Sequence, residues 1–339
     1  MKLLLTWPAT GEQVEHIRSH LPKETEIDIV PQKPYLGRYE CDPADMLEMA
    51  QHADVMMGWS AIPVKVFETA KNLKLVAYLH VGCDQLDFEV MRERGIQLCN
   101  ASGSSKVAVA EQGMAFLLAL AKRLIPNHQA VVEARWQPWW EEGYTSIELA
   151  GKTLVLIGLG NNGSEVAKRC KAFEMRVLAV DPAPRYPDVA DAVYPLEQLH
   201  DVLGQADFVM LTLPLTSKTY KFFSEKELRA MRSTAYLINI SRGALVHEEP
   251  LARALTEGWI AGFASDLWWE YPDRMPSSYH FSVPSRMGIH RMPNVVTGGD
   301  RAANIFEVRD REIDLGAESV GAFLRGETPP RLFDLKREF

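Results

Sequence analysis

Short apolar segments alternate with helix-like stretches over the first hundred residues of the chain. Residues 2–7, 53–58, 73–79 and 96–99 predict strands, because each segment is short, apolar and bounded by polar or turn-forming residues. Strands that alternate with helices form mostly parallel sheets, since parallel neighbours need crossover connections. The first part of the chain is therefore predicted to be an α/β domain.

Residues 107–124 predict a long helix that is apolar almost all round, with Glu111 as its only acidic residue. A helix with more than one apolar stripe is either central to a large core or shared with a second subunit. We favour the second interpretation, which predicts a homodimer.

A second α/β pattern begins at Lys152, after a connection that contains Trp136, Trp139 and Trp140. Its predicted strands are 153–160, 177–180, 208–213, 236–240 and 260–265, and its predicted helices include 164–173 and 248–256. Residues 271–292 hold three prolines and four serines without a clear period. This segment predicts a long loop, and long loops in compact domains are often functional.

Length, composition and charge narrow the class of protein. The 339 residues exceed the roughly 250 to 300 residues at which single cores stop growing, so two domains are expected. The net charge of −8 and the absence of a basic run argue against a nucleic-acid partner. No apolar run is long enough for a membrane-spanning helix, and residues 1–7 lack the length and cleavage site of a signal peptide.

The four cysteines, Cys41, Cys83, Cys99 and Cys170, are scattered and form no C-x-x-C pair. This spacing is typical of isolated reduced thiols rather than of a disulfide framework or a zinc site. It predicts a cytoplasmic protein without a bound metal.

A glycine-rich loop directly follows the apolar strand residues 154–157 and opens a helix. Its six residues are Gly158, Leu159, Gly160, Asn161, Asn162 and Gly163. A GxGxxG pattern alone often marks only a tight turn, but between a strand and a helix its backbone N–H groups can converge on a pyrophosphate. The loop therefore predicts a dinucleotide-binding site.

Asp181 ends the next predicted strand, about 20 residues beyond the loop. A carboxylate at this position accepts hydrogen bonds from the ribose hydroxyls and repels a 2′-phosphate. The pattern favours NAD over NADP as the cofactor, although Arg185 can partly accommodate a phosphate.

Several segments together resemble one family, the D-isomer-specific 2-hydroxyacid dehydrogenases, which include D-lactate, phosphoglycerate and formate dehydrogenases. They are VGCDQLD at 81–87, RGIQLCN at 94–100, VAE at 109–111, the glycine loop, LPLTSKT at 213–219, INISRGALV at 238–246 and AGFASD at 261–266. The resemblance implies two Rossmann-like, doubly wound parallel-sheet domains with a cleft between them. It implies a substrate domain of residues 1–101 and 302–339 and an NAD-binding domain of residues 102–301.

The resemblance also implies roles for individual residues. Arg242 would fix the substrate carboxylate and polarise its carbonyl, and a planar guanidinium suits that role because it binds a carboxylate through two parallel hydrogen bonds. The alternative is an arginine that only braces the strand end. Val81 and Gly82 would hold the carboxylate with their backbone, and Asp266 would bond the nicotinamide carboxamide. Further cofactor contacts are implied at Leu213, Pro214, Thr219 and Ile240.

Two catalytic positions depart from the family pattern. The family has a glutamate five residues after the aspartate, where this chain has Tyr271 and places Glu270 one residue early. Gly299 stands where the family has its general acid/base histidine. Since general acid/base catalysis contributes about 10²- to 10⁴-fold in rate, another residue must move the proton or the reaction must differ.

Asp300 and His290 are the main candidates for the missing proton donor, with His280 and Glu270 as further titratable groups. A carboxyl group in an apolar pocket can act as an acid because its pKa rises. The alternatives are that Asp300 is a helix N-cap and that the histidines are solvated loop residues.

Aromatic residues and one serine complete the predicted substrate site. Tyr271 would line it, and Trp268, Trp269, Tyr271 and Tyr279 either form an aromatic wall or pack a core or dimer contact. Ser105 stands where formate dehydrogenases have an asparagine, which argues against formate.

Three functions agree with these patterns. The first is an NAD-dependent oxidoreductase acting on an anionic 2-hydroxy or 2-oxo acid, with a proton donor foreign to the family. The second uses transient oxidation for elimination or cleavage of a larger substrate. The third is a non-catalytic NAD(H)-responsive binding protein, which the glycine at 299 favours and Arg242 disfavours.

Overall fold

The structure is a computed structural model that describes residues 1–136, 138, 140, 145–270 and 283–338. Among these residues the chain forms two compact units: unit 1 consists of residues 1–104 and 305–338, and unit 2 consists of the rest. Tyr271, Tyr279 and His280 lie outside the described residues. The assignment of the substrate role to residues 1–101 and 302–339 stays a prediction.

Strands and helices alternate along both units. In chain order they are β1 (Lys2–Leu5), α1 (Gly11–Arg18), β2 (Glu26–Ile29), α2 (Pro43–Met49), β3 (Val55–Gly58), α3 (Val64–Thr69), β4 (Leu75–Tyr78), α4 (Phe88–Glu93), β5 (Gln97–Asn100), α5 (Lys106–Ala121) and α6 (Leu124–Val132). They continue with β6 (Thr153–Ile157), α7 (Asn161–Ala172), β7 (Arg176–Val180), β8 (Ala192–Tyr194), α8 (Leu199–Leu203), β9 (Phe208–Leu211), α9 (Glu225–Ala230), β10 (Tyr236–Asn239), α10 (Glu248–Thr256), β11 (Gly262–Ser265), β12 (Val295–Thr297) and α11 (Phe306–Leu324).

Unit 1 is built on a five-stranded sheet in the order β2-β1-β3-β4-β5, and every strand pair is parallel. The central strands β3 and β4 are buried along their whole length, as expected for a sheet covered on both faces. The order changes direction at β1, which places the loops after β1 and β3 at a topological switch point.

Unit 2 is built on a seven-stranded parallel sheet in the order β12-β11-β10-β9-β6-β7-β8. Alternate residues of β6 belong to different core layers: Val155 and Ile157 to one, Leu154 and Leu156 to the other. The strand order reverses between β6 and β9, and ligands of such sheets bind at that point, beyond the carboxyl ends of the strands. The two parallel α/β sheets confirm the predicted fold class.

The long apolar helix corrects one sequence prediction. Helix α5 ends at Ala121 rather than at residue 124, because Arg123 takes a left-handed backbone conformation with φ of 49°. Ten of its residues are buried, and it packs against α7, β10 and β11 of its own unit. Its apolar character is therefore explained by the core of unit 2, and the homodimer stays a prediction.

The glycine loop corrects a second boundary. Helix α7 begins at Asn161, not at Ser164, because Asn161, Asn162 and Gly163 already form its first turn. The four cysteines are all free and buried, which confirms the prediction of isolated thiols. Within the described ranges, no helix has both the length and the apolar character needed to cross a membrane.

Candidate active site

The first and third glycines of the loop after β6 are required by close packing. Gly158 has a φ of 102°, and a Cβ there would lie 3.0 Å from the backbone of Thr212 and Leu213 at the end of β9. A Cβ on Gly163 would lie 2.4 Å from the carbonyl oxygen of Gly158. The hydroxyl of Thr212 donates to that same carbonyl at 2.6 Å, which ties the loop to the neighbouring strand.

The second glycine faces open space. A Cβ on Gly160 would meet no atom within 4 Å. In the described part of the chain, the backbone N–H groups of Gly160, Asn162 and Gly163 donate to no acceptor. The unpaired donors at the start of a twelve-residue helix and the space in front of them suit a pyrophosphate group.

Asp181 is held against the same loop. One carboxylate oxygen accepts the N–H of Leu159 at 2.6 Å and the other accepts the N–H of Ala183 at 2.7 Å. Arg185 Nη1 donates to Asn161 Oδ1 at 3.3 Å, so this guanidinium also lies beside the glycine loop. Both residues are thus placed where a dinucleotide ribose would be recognised.

A tight turn follows β9, next to the glycine loop. The hydroxyl of Thr219 donates to the carbonyl oxygen of Pro214 at 2.8 Å and accepts the N–H of Thr216 at 2.7 Å. Leu213 is half-buried in the core at the start of this turn. The predicted cofactor residues of this segment therefore lie at the carboxyl edge of the sheet.

The loop after β10 holds Arg242 and is braced from below by Asn239, which is fully buried. Asn239 donates through Nδ2 to the carbonyl oxygen of Arg242 at 2.8 Å and accepts the N–H of Ser241 at 3.0 Å. The guanidinium of Arg242 donates to the carbonyl oxygen of Ser241 at 2.9 Å. Ile240 points into the core layer beneath, where it is 4% exposed.

Asp266 follows β11 and is 1% exposed. Its Oδ2 accepts the N–H groups of Arg301 and Ala302 at 3.0 and 2.9 Å. Its Oδ1 is buried and has no partner among the described residues. An unpaired buried acceptor is costly, so this oxygen is suited to a ligand amide such as the nicotinamide carboxamide.

Arg242 and Asp266 lie at one edge of the sheet. Strands β10 and β11 are parallel neighbours in which Asn239 pairs with Ser265, and the N–H of Asp266 bonds the carbonyl oxygen of Asn239 at 3.4 Å. Gly243 closes the gap between the loops, since a Cβ there would lie 2.2 Å from the carbonyl oxygen of Trp268. The loop that holds the cationic Arg242 therefore lies next to the buried carboxylate of Asp266, which can accept a hydrogen bond from an amide.

Gly298 and Gly299, after β12, have opposite surroundings. A Cβ on Gly298 would lie 2.2 Å from Asp266 Oδ1, whereas a Cβ on Gly299 would meet no atom within 4 Å. Asp300 donates its N–H to the carbonyl oxygen of Asp266 at 2.9 Å and has a φ of 57°. It is not the N-cap of α11, which is Ile305, so that alternative interpretation was wrong.

His290 and Glu270 lie in the same unit but make structural contacts. The His290 ring packs edge-on against the buried Trp268, 6.3 Å between centroids, and its Nδ1 is buried without a partner in the described residues. Glu270 forms an ion pair with Arg286 at 2.7 Å and is 38% exposed. Trp268 and Trp269 pack into the core of unit 2.

The loop after β4 in unit 1 holds Val81 and Gly82, and both residues are half-buried. No described residue accepts a hydrogen bond from either backbone N–H. Asn100 Nδ2 bonds the carbonyl oxygen of Val81 at 2.8 Å, which fixes the loop. Two adjacent unpaired N–H groups suit a carboxylate. Ser105, the other predicted substrate residue, is buried just before α5.

Sequence reasoning missed His80, which directly precedes this pair of residues. Its Nε2 donates to the carbonyl oxygen of Trp59 at 3.2 Å. The only sequence signal was its position next to a predicted substrate loop.

Unit 2 combines a parallel sheet whose strand order reverses, a glycine loop at that point, and the Arg242 loop beside the buried carboxylate of Asp266. Together these features define an oxidoreductase that uses a nicotinamide dinucleotide. The model of the NAD-binding domain of the D-isomer-specific 2-hydroxyacid dehydrogenases matches residues 114–297. The chain belongs to the D-isomer-specific 2-hydroxyacid dehydrogenase family, and it is an NAD(H)-dependent enzyme of that type.

Relatives and solved structures agree with this assignment. A glyoxylate reductase of Korarchaeum cryptofilum is 34% identical over 95% of this chain and 94% of its own length. A glyoxylate reductase of Thermofilum pendens is 35% identical over 80% of this chain and 78% of its own. The TT0316 protein of Thermus thermophilus is 29% identical, with a TM-score of 0.74 over 98% of this chain and 99% of that one.

Proposed function

We propose that the enzyme reduces a short 2-oxo acid, glyoxylate or a close homologue, to the corresponding 2-hydroxy acid with NADH. The observation that supports this most directly is the adjacency of Arg242 and Asp266 at the ends of neighbouring strands. One is a persistent cation that can hold a carboxylate, and the other has a buried oxygen that lacks a donor. The curated glyoxylate reductases that match nearly the whole chain support the substrate class.

By the family resemblance, the N–H groups of Val81 and Gly82 and the guanidinium of Arg242 would hold the substrate carboxylate. Backbone donors and an arginine fork favour a small planar acid over a neutral molecule. Arg242 also stabilises the negative charge that develops on the carbonyl oxygen during reduction, because it is a fixed charge in a partly buried loop.

NADH, when bound, supplies the hydride that the substrate carbon accepts. The glycine loop would hold its pyrophosphate, Asp181 its adenosine ribose and Asp266 Oδ1 its carboxamide. Leu213, Pro214 and Thr219 border the same edge. The carboxylate of Asp181 favours NADH over NADPH, because a 2′-phosphate would meet its negative charge.

The proton for the carbonyl oxygen has to come from a residue other than Gly299, which by the resemblance stands at the family histidine. Asp300 and His290 are the candidates within unit 2. Asp300 is backbone-bonded to Asp266, and His290 is packed against Trp268. Neither Glu270, paired with Arg286, nor Tyr271 is assigned a step.

We also propose a homodimer, because helix α6 has an exposed apolar face. Leu124, Ile125, Val131 and Val132 of α6 are 44% to 71% exposed. Residues seven positions apart share a helix face, so these four form one apolar face, opposite the buried Ala130. Such a face is typical of an interface. The free buried cysteines support a cytoplasmic location.

The test is the oxidation of NADH with glyoxylate, hydroxypyruvate, pyruvate and larger 2-oxo acids, for the wild type, Arg242→Ala, Asp300→Asn and His290→Ala. Arg253→Ala is the matched control, since its guanidinium pairs with surface carboxylates away from the loop. Turnover that Arg242→Ala abolishes and Arg253→Ala retains supports the reductase. Tight NADH binding without turnover of any of these acids would overturn the proposed substrate class.

A further inference from the structure

Asn239 is the last residue of β10, and its side chain reaches along the loop that carries Arg242. The residue is fully buried, and both ends of its carboxamide are bonded to the backbone of this loop. Nδ2 donates to the carbonyl oxygen of Arg242 at 2.8 Å, and Oδ1 accepts the N–H of Ser241 at 3.0 Å. One planar group therefore holds the loop on both sides of the Arg242 Cα.

The same loop also holds the guanidinium of Arg242. Arg242 Nη1 donates to the carbonyl oxygen of Ser241 at 2.9 Å. Ser241 is fixed in turn, since its N–H bonds Asn239 and its hydroxyl donates to the carbonyl oxygen of Leu211 at 3.0 Å. The carbonyl oxygen of Arg242 accepts the N–H of Leu245 at 3.2 Å as well. The charged group is therefore attached to a backbone that the Asn239 carboxamide helps to hold in place.

The chemistry of this position requires a carboxamide. Asparagine supplies one donor and one acceptor at the end of a short side chain, which matches one carbonyl oxygen and one N–H of the loop. An aspartate carboxylate would offer two acceptors and would direct one of them at the carbonyl oxygen of Arg242. Because Asn239 is fully buried, water does not replace a bond that is lost there.

The main chain of Asn239 contacts the neighbouring strand instead. Its carbonyl oxygen accepts the N–H of Asp266 at 3.4 Å and lies 3.2 Å from the hydroxyl of Ser265, which is also fully buried. These two bonds do not involve the carboxamide. A change confined to the side chain therefore affects the loop of Arg242 and leaves the backbone brace of Asp266 in place.

We propose that Asn239 is a positioning residue for the reduction and that it acts through Arg242. The inference rests on the proposed 2-oxo acid reduction, in which the guanidinium holds the substrate carboxylate and stabilises charge on the carbonyl oxygen. A guanidinium has to match two carboxylate oxygens, so a displaced loop weakens both effects. Binding of NADH does not depend on the carboxamide, because Asp266 is held by the main chain of Asn239.

The first test variant is Asn239→Asp. At neutral pH we expect kcat/KM for glyoxylate to fall about 10- to 100-fold, while the dissociation constant of NADH stays within about 3-fold. A neutral carboxylic acid can donate to the Arg242 carbonyl oxygen and an ionised one cannot. The ratio of the variant's kcat/KM to that of the wild type should therefore rise as the pH is lowered. Asn239→Ser, which is uncharged, should show the loss without this recovery.

A second measurement asks whether Asn239 acts through the guanidinium. In an Arg242→Lys background, Asn239→Ser should lower kcat/KM by less than about 2-fold, because the group that it positions is already gone. Asn294→Asp is the matched control. Its carboxamide also donates to backbone carbonyl oxygens, those of Leu255 and Ala261, but it precedes β12 and so lies at the opposite edge of the same sheet. It should keep the wild-type kcat/KM at every pH.

Several results would overturn the role of Asn239 while the reductase stands. They are wild-type kcat/KM in both Asn239 variants, a loss of NADH affinity as large as the loss of kcat/KM, an equal loss in Asn294→Asp, or a full loss in the Arg242→Lys background. Failure of both variants to fold, seen in thermal melts, would make Asn239 a structural residue of the core instead. If the wild type binds NADH but reduces none of the acids, the proposed function fails and the role of Asn239 fails with it.

Discussion

The indole Nε1 of Trp268 donates a hydrogen bond to the carbonyl oxygen of Gly298 at 2.9 Å. Trp268 is buried beneath the loop that contains Arg242, and Gly298 lies against the carboxylate of Asp266. This bond therefore connects the segment after β12 to the loop of Arg242 and to the carboxylate of Asp266. It fixes the backbone of the residue directly before Gly299, the position that the resemblance assigns to the family histidine.

Alanine at Gly298 is expected to weaken cofactor binding and stability. Its Cβ would overlap Asp266 Oδ1 and approach Phe116, so the carboxylate has to move. We expect NADH affinity to fall at least about 10-fold and the thermal midpoint to fall by several degrees. Gly299→Ala is the matched control, because its Cβ enters open space and leaves both quantities unchanged. Equal effects of the two variants in NADH titrations and thermal melts would contradict the geometry.

Arg242→Ala is expected to abolish substrate anchoring while NADH still binds. Two charge-assisted hydrogen bonds are worth about 3 kcal/mol or more, so kcat/KM for glyoxylate should fall at least about 100-fold. Arg242→Lys should recover little, since an ammonium does not match the two carboxylate oxygens. Steady-state kinetics beside NADH titration measure both quantities. Wild-type kcat/KM in Arg242→Lys would show that the two parallel hydrogen bonds of the guanidinium are not needed.

Asp181 is expected to set the preference for NADH. Its carboxylate accepts two backbone N–H groups, so Asp181→Ala removes both a brace of the glycine loop and the charge that repels a 2′-phosphate. The ratio of kcat/KM for NADH over NADPH should fall at least about 10-fold. Arg185→Ala, which removes the nearby cation, should shift the ratio in the opposite direction. An unchanged ratio in both variants would place the discrimination elsewhere.

Glu312 is expected to make unit 1 less stable as the pH rises. Burial raises the pKa of this carboxyl above its ordinary value of 4.5, against the opposing effects of Arg309, Trp59 and Ser104. The folded state therefore keeps a proton that the unfolded chain has already lost, and stability falls as pH rises above about 4.5. As the pH rises above this ordinary value, the thermal midpoint of the wild type should fall relative to Glu312→Gln. Glu307→Gln, exposed on the same helix, should follow the wild type at every pH.

Charge on the apolar face of α6 is expected to separate the subunits. Val132 is 71% exposed, and an aspartate there would bury an unpaired charge in any interface. Light scattering after size-exclusion chromatography should give twice the 38.2 kDa chain mass for the wild type and one chain mass for Val132→Asp. Leu196 is an exposed apolar residue outside α6, and Leu196→Asp should leave the dimer intact. A monomeric wild type would remove the homodimer from the proposal.

The sequence predicted the central strands because β3, β4, β6 and β9 are buried on both faces and are apolar at nearly every position. It missed β2 and β8, whose residues are only partly buried, and β12, which has three residues. These strands lie at or next to sheet edges, where one neighbour or face is polar and the apolar pattern weakens.

The placement of Asp181, Arg242 and Asp266 was predictable, because each follows a strand within a short motif. It was not predictable where the partners are far apart in sequence. The bond from Trp268 to Gly298, and the bond from His80 to Trp59, form only when separate loops reach the same sheet edge. Because the bonded residues are far apart in the chain, neither bond produces a local sequence pattern.

Because Gly243 has no side chain, the loop after β10 and the loop after β11 pack so closely that they move together. The backbone of Gly243 lies so close to that of Trp268 that neither segment can shift without displacing the other. Trp268 in turn holds Gly298. Local opening of this region would therefore be cooperative, with amide protons on all three segments exchanging together rather than one loop at a time.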